Sequence, residues 1–238
     1  MFDGIASRYD FLNHFLSCFQ DVLWRRYCCK KLKRLLSETS SKGKIRLLDL
    51  CGGTGDFANT FLKIFESGTK SSSGQAFKVE TAIIGDFSFG MLAEVAPKKI
   101  GASVVQLDAM KMPFAENQFD VILNGFGMRN LPDAYLGLKE SFRVLDKGGY
   151  LCVLEFFSPR NLFNKFFYKI LAPLFIPVMG AFFSGKREAY EYLVNSILRF
   201  LPVDEFCKMA ESLGFEVACV KMFDGGISFG VFLRKPEM

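Results

Sequence analysis

Leu47-Leu48-Asp49-Leu50-Cys51-Gly52-Gly53-Thr54-Gly55-Asp56-Phe57 decides how the rest of the chain is read. The apolar run Ile45 to Leu50 with one carboxylate at Asp49 reads as a buried strand, and the glycines that follow read as its exit turn into a helix. Such a turn lets backbone and ligand approach closely because the side chains are missing. Gly53, Gly55 and Ala58 also satisfy a lone G-x-G-x-x-A dinucleotide pattern, and a tight strand-to-helix turn with no ligand at all satisfies the same residues.

Downstream, Ala82 to Ile84, Ser103 to Gln106, Val121 to Leu123 and Tyr150 to Leu154 are short apolar segments separated by helix-compatible sequence. That alternation predicts an α/β fold, a mostly parallel sheet with helices on both faces. Glu216 to Phe223 and Ile227 to Arg234 flank Asp224-Gly225-Gly226 and predict an antiparallel carboxy-terminal hairpin. Gly68 to Lys78 is Gly/Ser-rich and reads as a surface loop rather than a linker, since the strand pattern resumes at once. With 238 residues and no internal repeat, one domain is expected over 1–238.

In an open α/β sheet, ligands bind at the carboxyl ends of the strands. Three successive ends carry acids: Asp49, Asp86 in Ile83-Ile84-Gly85-Asp86, and Asp108 in Leu107-Asp108-Ala109. Asp86 lies farther beyond Gly55 than the roughly 20 residues of the dinucleotide fingerprint, and no second pyrophosphate site follows. A ribose on Asp86 and an adenine amine near Asp108, its face on apolar side chains, suit S-adenosylmethionine. Asp86 followed by Phe87-Ser88 equally suits a helix N-cap, and Asp120 reads as a turn or strand-start residue.

Composition narrows the function classes. Seven cysteines without a C-x-x-C pair suggest neither a disulfide framework nor a zinc site, and with one histidine and no G-x-S-x-G elbow, hydrolase chemistry ranks low. The 28 phenylalanines fill a large core with apolar surface left for a substrate site. The net charge of +5 concentrates in Arg25, Arg26, Lys30, Lys31, Lys33 and Arg34, which interleave with Leu32, Leu35 and Leu36 as in an amphipathic helix. A solvated helix face is the first reading of that cluster, an anionic membrane surface the second, and nucleic acid the weakest, since no N/D-P-P-Y-type motif follows the fourth strand. Met1 to Asp10 does not read as a signal peptide, and Ile170 to Phe183 is too short and too proline-interrupted to span a bilayer.

Beyond the glycine turn, the chain carries Gly85-Asp86-Phe87-Ser88, Asp108-Ala109, Phe126-Gly127-Met128-Arg129-Asn130, Phe142-Arg143-Val144-Leu145 with Gly148-Gly149, and Leu154-Glu155-Phe156. With Phe2-Asp3-Gly4-Ile5-Ala6-Ser7-Arg8-Tyr9-Asp10 and Tyr190-Glu191-Tyr192-Leu193, it resembles the ubiquinone/menaquinone biosynthesis C-methyltransferases over nearly its whole length. The resemblance implies a Rossmann-like class I methyltransferase fold with a seven-stranded sheet, a helical lid over 1–40 and an apolar helical cap over 156–200. It implies methyl transfer from S-adenosyl-L-methionine to a ring carbon of a prenylated quinol. Cofactor contacts are expected from Asp49, Gly53, Thr54, Gly55, Asp86, Phe87, Asp108, Ala109 and Gly125, and no metal.

Arg129 and Asn130 are expected to face the quinol, with Arg129 supporting its oxyanion and Tyr9 and Asp10 on the lid as the route for the proton. Tyr190-Glu191-Tyr192 and Arg199-Phe200-Leu201 resemble the naphthoquinone-methylating branch, which puts a demethylated menaquinol or phylloquinol ahead of a benzoquinol. A small-molecule O- or N-methyltransferase and a non-catalytic cofactor- and lipid-binding partner stand as alternatives. The expected location is cytoplasmic, organellar in a eukaryote, with peripheral contact at the inner face of a membrane and a homodimer or a quinone-biosynthesis complex left open. Asp21 stands where the family often has His, and Cys18-Phe19 replaces a frequent glycine-containing turn.

Overall fold

The computed structural model describes residues 19–39, 43–66, 77–160 and 187–237. The expected lid residues Tyr9 and Asp10, the Ser-rich loop over 67–76 and most of the expected cap (161–186) lie outside the described residues. The described chain runs α1 (Gln20–Thr39), β1 (Lys44–Leu50), α2 (Asp56–Phe65), β2 (Lys78–Asp86), α3 (Phe89–Ala93), α4 (Val95–Lys98) and β3 (Ser103–Gln106). It continues through β4 (Phe119–Gly125), a 3₁₀ turn over Met128–Asn130, α5 (Ala134–Val144), β5 (Leu145–Glu155), α6 (Arg187–Arg199), α7 (Val203–Ser212), β6 (Glu216–Phe223) and β7 (Ser228–Arg234).

The seven strands form one sheet in the order β3-β2-β1-β4-β5-β7-β6. β1 through β5 pair in parallel, whereas β7 runs antiparallel to β5, and β6 antiparallel to β7. Asp224, Gly225 and Gly226 close the last hairpin with positive φ. Every apolar segment expected to be a strand is one.

Alternation along the central strands sorts the core into two layers. Leu47, Val121, Leu123, Cys152 and Leu154 pack with Trp24, Cys28 and Leu32 of α1 and Phe57, Phe61 and Phe65 of α2. Leu48, Leu50, Ile122, Leu151 and Val153 pack on the opposite face with Leu138 of α5 and Phe206 of α7. Phe61, Phe119, Phe157, Phe206 and Phe232 are all fully buried, so much of the phenylalanine excess is core filling. Because Asp49 shares its face with Leu47, its side chain lies under α1 and α2.

Asp120, in β4, is structural. It accepts hydrogen bonds from the Arg46 backbone N–H (2.9 Å), Nε (2.8 Å) and Nη2 (3.0 Å), which tie β1 to β4 at the end opposite the glycine turn.

The basic cluster on α1 is not one solvated face, which corrects the first reading. Arg26 and Lys30 are exposed, and Arg34 pairs with Glu38 on the surface. Lys33 instead reaches the Ile64 carbonyl and sits over the Phe65 ring, and Arg25 is buried beside Trp24 and Cys28.

Candidate active site

A cleft of about 450 Å³ opens along the carboxyl ends of β3, β2, β1 and β4, in that spatial order. Its floor is the glycine turn. Cys51, Gly53 and Gly55 all have left-handed backbone (φ 55°, 55° and 83°), which folds the chain tightly between β1 and α2. A Cβ on Gly52 would lie 2.8 Å from the Ile84 side chain and 2.9 Å from Asp49, so that residue must be glycine for the turn to lie against β2. A Cβ on Gly53 would meet nothing within 4 Å, because it would project into the cleft.

The three strand-end carboxylates all line this cleft. Asp86 accepts from the Gly53 N–H through Oδ2 (2.9 Å) and from the Ser88 N–H through Oδ1 (2.8 Å). The helix N-cap of α3 is Ser88, whose hydroxyl accepts from the Met91 N–H. The capping role proposed for Asp86 therefore falls to its neighbour, and Asp86 instead pins the glycine turn to β2. Asp108 accepts from the Met110 N–H (2.8 Å), and both side chains are half-buried. Ala109 is buried beside Asp108, while Phe87 stands 76 % exposed on the wall.

Asp49 is fully buried. Its Oδ2 accepts from the Ala58 N–H in the first turn of α2 (2.8 Å), but its Oδ1 finds no donor among the described residues. Burial pushes this carboxyl up to about 7, and the Ala58 N–H and the nearby Arg25 charge only partly offset the loss of water. A buried acceptor without a partner costs stability, so it marks a place where a ligand donor fits.

The β4 end closes the cleft on the other side. Phe126 adopts φ 58°, in the left-handed region, and its carbonyl accepts from Arg129 Nη1 (2.8 Å) and Asn130 Nδ2 (3.0 Å). A Cβ on Gly127 would lie 2.5 Å from that of Cys51, so this turn and the glycine turn are packed backbone against backbone. Gly125, Phe126 and Asn130 line the cleft. Asn130 Oδ1 also accepts from the Tyr192 hydroxyl of α6 at 3.2 Å.

The Arg129 guanidinium is oriented away from that lining. Its Nη1 donates to Glu155 Oε1 at 2.5 Å and its Nε to Ser196 Oγ at 3.3 Å, and it stacks against the rings of Phe126 and Phe156. Sequence reasoning singled out the Arg129-Asn130 pair but not the buried Glu155 that holds it. It also missed Arg25, which lines the cleft and stands in an i,i+4 ion pair with the buried Asp21. The signal was present, because Arg25 shares the helical stripe of Asp21, Cys28 and Leu32 rather than that of Arg26 and Lys30.

With this geometry in place, the ubiE/COQ5 methyltransferase family model matches residues 1–232. The chain belongs to that family. It is 38 % identical over 223 residues to the Ubiquinone/menaquinone biosynthesis C-methyltransferase UbiE of Geotalea daltonii, covering 91 % of this chain and 86 % of that one. It is 33 % identical over 232 residues to the Demethylmenaquinone methyltransferase of Staphylococcus aureus, covering 96 % and 88 %. Among solved structures, a putative methyltransferase of Bacillus halodurans superposes with TM-score 0.59 at 19 % identity (87 % and 99 % covered). A possible histamine N-methyltransferase of Thermotoga maritima gives 0.58 at 20 % identity (98 % and 97 % covered). These two show the class I methyltransferase fold.

The enzyme is a methyltransferase whose cofactor is S-adenosylmethionine, and the residues present fit it. Asp86 and Asp108 offer carboxylate acceptors at the β2 and β3 ends, Phe87 and Met91 offer apolar surface beside them, and Asp49 offers the unpartnered buried oxygen at the β1 end.

Proposed function

We propose that this enzyme methylates a ring carbon of a prenylated quinol, a demethylmenaquinol-type naphthoquinol ahead of a ubiquinone-pathway benzoquinol. The observation that carries this reading is the cleft itself: acidic acceptors line one end, and Phe126 and the Asn130 amide line the other, as a polar-edged aromatic acceptor requires. The relative in Staphylococcus aureus is named for demethylmenaquinone and that in Geotalea daltonii for both quinones, which supports the naphthoquinol as first choice.

The bound cofactor supplies an electrophilic methyl group. The chain's part is to hold the acceptor carbon in line and to support the oxygen charge that makes the carbon nucleophilic. Asn130, fixed by the Phe126 carbonyl and by Tyr192, presents its amide at that end of the cleft. Arg129 acts through it as a positioning residue, and its charge lies behind the strained Phe126 turn. A guanidinium keeps its proton at all working pH values, so the base is another group; Tyr9, Asp10 and a water are the proposed route.

The lipid nature of such a substrate calls for a membrane surface, and α1 offers a matching face. Leu23 and Tyr27 are exposed at i,i+4 spacing, and the exposed Arg26 and Lys30, which have no ion pair among the described residues, lie on the same side of the helix. No helix among the described residues is long and apolar enough to cross a membrane, so the contact would be peripheral. Vesicles rich in anionic lipid should sediment the protein at low salt and release it as the Debye length falls from about 10 Å at 0.1 M to about 3 Å at 1 M. Leu23→Asp should abolish that binding, and sedimentation unaffected by the substitution would rule the α1 face out.

The test of the reaction is methyl transfer from labelled S-adenosylmethionine to chemically reduced demethylated naphthoquinol and, in parallel, to the matching benzoquinol. Label in the naphthoquinol is the expected result. Label in neither, with cofactor bound, would overturn the proposed acceptor.

A further inference from the structure

Arg25 has no part in the reading above, and it is the only cation among the described residues that line the cleft. The other charged lining groups, Asp49, Asp56, Asp86 and Asp108, are all acids. Its side chain is about 10 % exposed, an unusual position for a guanidinium on a helix whose Arg26, Lys30 and Arg34 are exposed. Two contacts fix it. Nη1 donates to Asp21 Oδ2 at 2.5 Å one turn earlier on α1, and the guanidinium carbon lies 5.8 Å from the centre of the Phe126 ring.

Asp21 is itself 2 % exposed, so the pair is a buried one and the guanidinium has a fixed orientation. A guanidinium has five N–H donors, and among the described residues Arg25 donates only to Asp21, which leaves donors for a second oxyanion. Asp49 is close enough for the Arg25 charge to bear on its carboxyl. A cation and an unpartnered carboxylate oxygen therefore sit together at the β1–β4 end of the cleft, opposite the Asp86–Asp108 end. The group complementary to that arrangement carries a carboxylate and an ammonium on one carbon.

We infer that Arg25, oriented by Asp21, binds the α-carboxylate of the cofactor's amino-acid end while Asp49 Oδ1 receives its ammonium. This rests on the cofactor being S-adenosylmethionine. Asp86 and Asp108 would repel a carboxylate at the opposite end of the cleft, so Arg25 also fixes which way round the cofactor lies. The other oxyanion that could reach a guanidinium here is the ionised quinol oxygen, and the experiment separates the two sources.

Binding of S-adenosylhomocysteine and of its decarboxylated analogue, which keeps the amine and lacks the carboxylate, is measured by calorimetry on the full chain without any quinol. The wild type should prefer the carboxylate-bearing ligand by about 10- to 100-fold, the range for a charge-assisted hydrogen bond. Arg25→Gln should lose that preference while binding the decarboxylated analogue as the wild type does. Arg25→Lys, which keeps the charge but not the two-sided fork, should fall between them, with circular dichroism and the melting temperature showing that both variants fold.

An unchanged preference in either folded variant would overturn the inference and leave the enzyme's reaction standing, with the quinol oxygen as the remaining oxyanion. A wild type that binds neither ligand would overturn the cofactor assignment and the inference together.

Discussion

Replacing Glu155 with alanine should destabilise the enzyme by about 3–5 kcal/mol, the cost of leaving one member of a buried ion pair without its partner. Glu155 is fully buried and the Arg129 side chain is 6 % exposed. Glu155 Oε1 accepts from Arg129 Nη1 and from the Phe156 N–H (2.8 Å), while Oε2 accepts from the Arg129 N–H (3.2 Å). Burial pushes the Glu155 carboxyl above the usual carboxylate range, and the Arg129 charge and the Phe156 and Arg129 backbone N–H groups work against that shift. Removal of the carboxylate strands a guanidinium between two aromatic rings, in a loop whose Phe126 already holds a left-handed backbone.

Urea denaturation of Glu155→Ala, Glu155→Gln and the double variant Arg129→Met/Glu155→Leu tests this. Glu155→Gln keeps the shape and loses the charge, and should cost less than Glu155→Ala. The double variant should regain most of the lost stability, because neither charge is then buried alone. Affinity for S-adenosylhomocysteine should match the wild type in the double variant, since neither side chain lines the cleft. Quinol methylation should stay low in kcat, because Asn130 and the Phe126 carbonyl lose the group that braces them. Full activity in the refolded double variant would reduce the pair to a structural tie.

What was legible in the sequence follows from which interactions are local. The central strands β1, β4 and β5 announce themselves because each carries a run of apolar residues buried on both faces, and the acids stand out because they end apolar runs. Asp224-Gly225-Gly226 predicts its own turn because only left-handed backbone closes it. Arg129-Asn130 was visible as a motif, but its partner Glu155 was not, because a pairing across two parallel strands leaves no periodicity in the chain. Arg25 was hidden for the opposite reason: five neighbouring cations share its composition, and only its angle around the helix separates it from them. The division of labour between Asp86 and Ser88 was likewise undecidable from spacing, because either side chain can cap α3 and only backbone geometry selects one.

Asp49→Asn should raise stability at pH 8 and weaken cofactor binding, and both effects come from one buried oxygen. In the folded chain the carboxyl is pushed up to about 7, against 3.8 for the free group. Between those values the folded protein holds a proton that the unfolded chain has lost. Wild-type stability therefore falls as pH rises from about 4 to about 7, by about 1.4 kcal/mol per unit at most, and levels off above. The amide has no such slope, so the variant overtakes the wild type through this window. It keeps the Ala58 N–H bond through its own oxygen.

Ligand binding runs the other way. An ammonium beside Oδ1 requires the ionised carboxylate, so binding below pH 7 must expel a proton, and wild-type affinity for S-adenosylhomocysteine should decline as the solution is acidified. Arg25 favours the ionised form while Asp86 and Asp56 oppose it, so all three set where the decline begins. Calorimetry in buffers of different ionisation enthalpy reads that proton directly. In Asp49→Asn the affinity at pH 8 should drop by about 10- to 100-fold, the range for one charged hydrogen bond, with no proton released at any pH from this position. Proton release that persists in the variant would place the titrating group elsewhere in the cleft and leave the orphaned Oδ1 without a ligand role.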